Sequence, residues 1–272
     1  MVKYALYATA VLLLVAAGGL GWDYLTFLEE RDLAAKVQGA ATTAELRTQL
    51  DDVLTRIGAE ADKLAEQLGN GDHSPEEVLR IVREGSLAVP ELQGVTACYE
   101  PYAFDPERRL YCPYYDKVTQ TWIYVEDSYD YTVEGEAGTA WYTKVRQDGA
   151  RWVEPYYARA AGGWYVDYGA PFTYRSGPRK GEVRGTITMS FEVRGFKELV
   201  HGMALGRTGY GMITSSGGMF LAHPLDANVG TKGLKDLIPT VPEELRAGFE
   251  AMLGGETGVL AYDDDEQNDE GL

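Results

Sequence analysis

Between residues 99 and 174 the chain concentrates 14 of its 19 tyrosines and four of its five tryptophans. The densest runs are Trp141-Tyr142-Thr143-Lys144-Val145, Arg151-Trp152-Val153-Glu154-Pro155-Tyr156-Tyr157 and Trp164-Tyr165-Val166-Asp167-Tyr168. So many large, stiff rings in short runs broken by Gly and Pro cannot all sit in helices. They fit a strongly twisted sheet, where aromatic residues are favoured. Tyr and Trp also carry a polar tip, which suits a site that is dry at one end and meets a partner at the other. The expectation is that several of these rings line one pocket.

The N-terminal region sets the compartment. Residues 4–22 hold no charged side chain. At the helical rise that run spans about 28 Å, close to a bilayer's hydrocarbon core. Lys3 precedes it, and Asp23, Glu29 and Glu30 follow. By the positive-inside rule the start is cytoplasmic and the bulk of the chain is exported, periplasmic or extracellular. Trp22 and Tyr24 fit an interfacial belt. A cleaved signal peptide, with its small-residue site in Ala16-Ala17-Gly18-Gly19, is the alternative. The length of the run, and its continuation into a helical pattern, favour an uncleaved anchor.

Beyond the anchor, Leu46, Leu50, Val53, Ile57, Ala61, Leu64 and Leu68 recur at steps of three and four. That is one apolar stripe on a long helix, stopped by Gly69-Asn70-Gly71. Gly39 and the Ala- and Thr-rich patch at 40–44 are candidate bend points. The stripe can dock on its own domain, on a second copy, or on both, so a homodimer through this stalk is expected. Ser74-Pro75-Glu76-Glu77 starts a second helix, ending near Gly85. Strands follow at 94–103, 109–117 and 121–126, then a helix at 141–147. Three more strands are expected at 153–159, 164–174 and 182–193, then a helix at 196–205. This reads as one antiparallel sheet with helices packed outside.

A smaller repetition begins at Gly206. Strands at 209–214 and 219–224 flank the hairpin turn Ser215-Ser216-Gly217-Gly218. A helix at 241–253 and a lone strand at 258–262 come next, then an acidic tail. A hairpin, a helix and one strand make a poor sheet, so this unit reads as incomplete and the sequence as a fragment.

Cys98 and Cys112 lie outside the anchor. In an oxidising compartment a bridge would close a loop worth about 3 kcal/mol. If the intervening turn centres on Asp105 the two face each other. If it centres between Pro106 and Glu107 they lie on opposite faces.

The formal charge of −17 leaves no basic patch for nucleic acid, and it disfavours a soluble domain that hugs an anionic membrane. None of His73, His201 and His223 has a partner at metal-ligand spacing; His223, before Pro224, reads as a turn histidine. Ser215 and Ser216 lack nucleophile-elbow spacing. Asp263-Asp264-Asp265 lacks the spaced pattern of a cation loop. No catalytic residue, metal or cofactor is expected.

The order of features resembles the double Cache family of extracytoplasmic sensor domains over roughly residues 25–262. The residues that carry it are Glu100-Pro101-Tyr102, Tyr111-Cys112-Pro113-Tyr114, Glu126-Asp127-Ser128-Tyr129-Asp130-Tyr131, Trp141-Tyr142, Trp152-Val153-Glu154-Pro155-Tyr156, Tyr168-Gly169-Ala170-Pro171-Phe172 and Leu205-Gly206-Arg207-Thr208-Gly209-Tyr210-Gly211. The resemblance implies an α+β chain with two stacked PAS-like modules, the distal one holding the ligand. It also implies a receptor whose output domain (a kinase, phosphatase, nucleotide cyclase or chemoreceptor) is absent from this sequence.

The expected division is start and anchor at 1–23, stalk at 24–70, distal module at 71–203, proximal module at 204–262 and acidic tail at 263–272. The amino-acid-binding members carry an Arg and two Asp residues where this chain has Thr139, Ala158 and Ser190. Trp141, Tyr142 and Tyr156 do match. The expected ligand-binding set is therefore Tyr129, Tyr131, Trp141, Tyr142, Trp152, Tyr156 and Ser190. A neutral or weakly polar small molecule suits such walls better than an α-amino acid, with Arg151, Asp127 and Asp130 as candidate polar anchors. An anchored structural or adhesive envelope protein, without a ligand, is the alternative function; an anchored enzyme is a remoter one.

Overall fold

Seven strands, β1 (Gly94–Tyr99), β2 (Pro113–Asp116), β3 (Thr121–Tyr124), β4 (Arg151–Trp152), β5 (Tyr156–Ala158), β6 (Gly163–Thr173) and β7 (Val183–Glu192), form one antiparallel sheet. Its order is β3-β2-β1-β7-β6-β4, with β5 also on β6. The computed structural model describes residues 2–135, 138–201, 210–256 and 258; the side chains of 2–29, 32, 199 and 201 are outside the description.

The central strands are buried on both faces. Along β1 all six residues are buried, so the strand reads as a continuous apolar run rather than an alternation. Period two still sorts the side chains. Val95, Ala97 and Tyr99 join Ile187, Met189, Val166, Ala170 and Phe172 in the larger core. Cys98 and Tyr114 belong to a smaller core on the opposite face.

The larger core is closed by α1 (Val2–Gly69) and α2 (Pro75–Ala88). The C-terminal half of the apolar stripe docks on its own domain: Ile57, Ala61, Leu64 and Leu68 are almost fully buried. Burying Ile57, Leu64 and Leu68 contributes about 1.5–3 kcal/mol each. Further up, Leu33 and Val37 stand exposed, so only the C-terminal part of the helix is held by its own domain. The helix runs through residues 39–44 without interruption. No helix among the described residues is long and apolar enough to cross a membrane; the side chains of the expected anchor at 4–22 lie outside that description.

Helix α2 starts with the expected capping box, Ser74 and Glu77 reciprocally bonded. It does not end at Gly85. A Cβ there would lie 2.4 Å from Leu64 Cδ1, so this glycine lets α2 press against α1 and the helix continues to Ala88. The turn between the two helices is pinned to the sheet by Arg184, which donates to Gly71 O (2.6 Å) and Asp72 Oδ1 (2.7 Å).

The first strand stops at Tyr99 rather than continuing to 103, because the chain turns and Tyr102 takes a left-handed backbone (φ 62°). Gly94 opposes Asp116 and Thr96 opposes Tyr114. Continued, this register sets Cys98 against Cys112 with Asp105 at the centre, and the two cysteines are bridged.

Helix α3 (Ala140–Asp148) covers the smaller core and α4 (Arg194–His201) follows β7. The strand expected at 153–159 shortens to β5, and the two-residue β4, which was not expected, precedes the break at Val153-Glu154-Pro155. Beyond residue 209, β8 (Ile213–Thr214) and β9 (Phe220–Ala222) form a two-stranded sheet, with α5 (Leu234–Leu237) and α6 (Glu243–Leu253) behind it. The described residues thus carry a hairpin and helices here. The strand expected at 258–262 lies outside them apart from Gly258, as does the acidic tail.

Candidate functional site

A small cavity of about 30 Å³ lies between the sheet and the elements that cover its smaller core. Thr96 on β1, Asp167 on β6 and Ser190 on β7 line it from the sheet. Trp141 of α3, Tyr129 from the turn after β3 and Tyr156 of β5 line it from the cover. Pairing puts Asp167 directly opposite Ser190, and Tyr156 opposite Tyr165.

The polar tips are organised around one carboxylate. Tyr156 Oη donates to Asp167 Oδ2 at 2.6 Å. Asp167 is 1% exposed, and its Oδ1 has no hydrogen-bond partner among the described residues; neither has the buried Tyr114 Oη. Loss of water raises the Asp167 pKa to about 6, against the pull of Tyr156 and the nearby Ser190 hydroxyl. Desolvation, and then the Asp167 charge, push the Tyr156 phenol well above its ordinary value, so this pair holds its proton on the tyrosine. On the cover, Trp141 Nε1 donates to Tyr129 Oη at 3.0 Å, and the Arg159 guanidinium sits over the Tyr129 ring, 4.4 Å from its centroid.

Of the seven residues expected at the site, Tyr129, Trp141, Tyr156 and Ser190 line this cavity. Tyr131 and Tyr142 form a layer beside Trp141, with ring centroids 6.1 and 6.0 Å from it. Their hydroxyls are spent elsewhere. Tyr131 donates to Tyr99 O (2.7 Å) and Tyr142 to the Glu100 carboxylate, which also holds Arg146. Trp152 is on the other face, because β4 sets it opposite Tyr168. Its ring packs on Tyr168 at 5.3 Å and borders an open cleft of about 490 Å³ beside Leu50 and Val53 of α1.

The candidate polar anchors are also elsewhere: Arg151 pairs with Asp148, Asp130 with Arg109 and Thr132, and Asp127 is exposed in the turn after β3. His223 accepts from Leu225 N (2.9 Å), the turn role expected of it.

Sequence reasoning passed over Asp167. An acid between Val166 and Tyr168, in the middle of an apolar strand, was the available signal: it must be either exposed or buried with a purpose. Larger hollows exist. One of about 520 Å³ lies between Trp164, α4 and the turn at 226–229. Its Lys197 and Asp226 are already paired at 2.6 Å, and among the described residues it has no orphaned buried group. The small cavity has the stronger chemistry.

Residues 80–194 match the model of the family described as methyl-accepting chemotaxis protein-like, first PDC sensor domain. No curated protein matches the chain. Among solved structures, the extracellular domain of the putative histidine kinase mmHK1S-Z3 superposes with a TM-score of 0.61 at 19% identity, over 84% of this chain and 82% of that one. The periplasmic sensory domain of the Campylobacter jejuni chemoreceptor Tlp1 gives 0.60 at 16%, over 85% and 84%. The ligand-binding domain of the Pseudomonas aeruginosa PAO1 amino acid chemoreceptor PctC, in complex with GABA, gives 0.51 at 17%, over 76% and 82%. At these identities the likeness is one of fold. The expected resemblance to an extracytoplasmic sensor domain therefore holds, in the matched segment and in the architecture.

Proposed function

We propose that this chain is the extracytoplasmic ligand-sensing region of a membrane-bound signal-transduction receptor. A small molecule enters the cavity under α3, and its arrival is passed to α1. The observation that carries the reading is the meeting of Trp141 and Tyr156 with a buried carboxylate that has one oxygen unused. Such a group costs stability, and a donor on a ligand would relieve that cost. The fold is that of receptor sensor domains, one of which is named as a complex with GABA. The role is binding rather than catalysis.

The proposed division is the one expected from sequence: anchor at 4–22, stalk helix to about residue 70, a distal ligand-binding module to about 203 and a proximal module beyond it. The receptor acts as a dimer through the exposed upper stalk, where Leu33 and Val37 stand free of their own domain.

Strand β6 is the physical link. Asp167 faces the cavity, while its neighbours Val166 and Tyr168 pack into the core that α1 closes. Gly58 of α1 brings the helix against the Tyr168 ring, 3.7 Å from where its Cβ would stand. The cavity holds little more than a water, so a larger ligand makes room by moving α3 and the turn at 159–162 away from the sheet. Any shift this forces on β6 meets α1 directly. Signalling follows if the ligand binds the two arrangements with different affinity.

A thermal-shift screen of the full chain against small metabolites tests this. Saturable stabilisation is expected, lost both in Trp141→Ala and in Ala161→Leu, which fills the cavity from its rim. A flat response across the panel, or stabilisation that survives both substitutions, overturns it.

A further inference from the structure

We propose that the cavity selects a primary or secondary amine that lacks a carboxylate of its own, and that Asp167 is the residue that makes the selection. This rests on the ligand-sensing reading above. Asp167, with its Oδ1 unused and buried, and Tyr114 both line this cavity. A carboxylate oxygen without a donor calls for an N–H or O–H, and a charged donor is the stronger partner. A protonated amine supplies both charge and donor. A quaternary ammonium has no N–H to give.

The remaining walls agree. Trp141, Tyr129, Tyr156 and Tyr165 surround the site with aromatic rings, whose faces attract cations. The Tyr129 ring already receives the Arg159 guanidinium. No Lys, Arg or His side chain is on the described wall, so a ligand carboxylate would stand beside Asp167 without a cationic side chain to pair with there, which is unfavourable. A metal ion is a poor fit, since among the described residues no cluster of His, Cys, Asp or Glu could hold one. The ionised form of Asp167 is already penalised by burial; an incoming cation relieves that penalty, whereas a neutral alcohol does not.

Two matched series test the inference on the full chain by calorimetric titration. The first is isoamylamine, isoamyl alcohol and leucine; the second is phenethylamine, phenethyl alcohol and phenylalanine. At least one amine is expected to bind tenfold or more tighter than its alcohol and its amino acid. Asp167→Asn, which keeps the side-chain shape, is expected to weaken the amine tenfold to a hundredfold and to leave the alcohol within about twofold.

Alcohol or amino acid binding equal to the amine, or amine binding unchanged in Asp167→Asn, overturns the inference. If Asp167→Asn does not fold, the series on the unmodified chain decide alone. The amine reading fails while the sensor reading stands if an alcohol or amino acid is the better ligand and is lost in Ala161→Leu. If no compound binds, or binding persists in Ala161→Leu, both fail for this cavity.

Discussion

Asp167 on β6 and Ser190 on β7 stand opposite each other in the antiparallel ladder, both on the wall of the cavity under α3. A cross-strand pair shares one face of the sheet. The carboxylate and the hydroxyl therefore address the same volume from neighbouring strands. Tyr156 closes the group by donating to Asp167 Oδ2.

The first prediction concerns pH. Burial raises the Asp167 pKa from 3.8 to about 6 in the folded chain. Between roughly pH 4 and 6 the folded state holds a proton that the unfolded state has lost, so this group's contribution to stability falls as pH rises across that window and is level above it. Asn at 167 does not titrate. The stability of Asp167→Asn relative to the unmodified chain is expected to rise by on the order of 2–3 kcal/mol from pH 4 to pH 7. Denaturant unfolding at the two pH values measures it, and a difference that does not change with pH refutes it.

A second prediction follows from the closeness of the two helices. Ala in place of Gly85 should favour α2 by about 1 kcal/mol on propensity alone. The new methyl would stand 2.4 Å from Leu64 Cδ1, and Leu64 is itself fully buried. Overpacking of this kind costs about 1–3 kcal/mol, so Gly85→Ala should be destabilising on balance. An increase in melting temperature would mean the helices can part without loss.

How much of this was legible in the sequence depends on where the information lay. The stripe from Val53 to Leu68 and the Ser74–Glu77 capping box are local patterns, and both are as read. Gly85 was read as a stop because glycine ends helices; its role is set by Leu64, about twenty residues earlier and adjacent only after folding. The aromatic stretch foretold a ring-lined cavity but not which rings line it. Strand parity puts Trp152 on the α1 face with Tyr168, while Tyr156, after the break at Val153-Glu154-Pro155, lies over Asp167. The position compared with known acid sites was 190, and the acid sits across the ladder at 167, a relation that only pairing reveals.

The third prediction uses the bridge. Cys98 and Cys112 are bonded, 14 positions apart. Closing a loop of that size stabilises by about 3 kcal/mol. Thr96 Oγ1 lies 3.6 and 3.5 Å from the two sulfurs, donates to Pro113 O and lines the cavity. Replacing both cysteines with alanine should lower stability by about that amount and speed amide exchange at Thr96. A melting temperature unaffected by reductant in the unmodified chain would show that the bridge carries no such weight.

The fourth prediction concerns Glu154, which ties the seven-stranded sheet to the β8–β9 hairpin. Its carboxylate accepts from Ser215 Oγ (2.6 Å), Ser216 Oγ (2.6 Å) and Gly217 N (2.9 Å). Partial burial works against its charge, but these three donors outweigh that and hold its pKa below the ordinary value. It lies two residues before Tyr156, the donor to Asp167, and its strand neighbours belong to the ladder that forms the cavity wall. Because Glu154 is exposed, the bonds are partly screened, and Glu154→Ala should cost only about 1 kcal/mol of global stability. The local effect should be larger. Amide exchange at 215–217 is expected to accelerate severalfold while β1 and β7 stay protected, since the hairpin loses its tie and the central strands keep theirs. Glu154→Gln, which can still accept from two donors but brings no charge, should fall between the two. Exchange that is unchanged at the hairpin in Glu154→Ala would show that β8 and β9 are held to the larger sheet by other contacts.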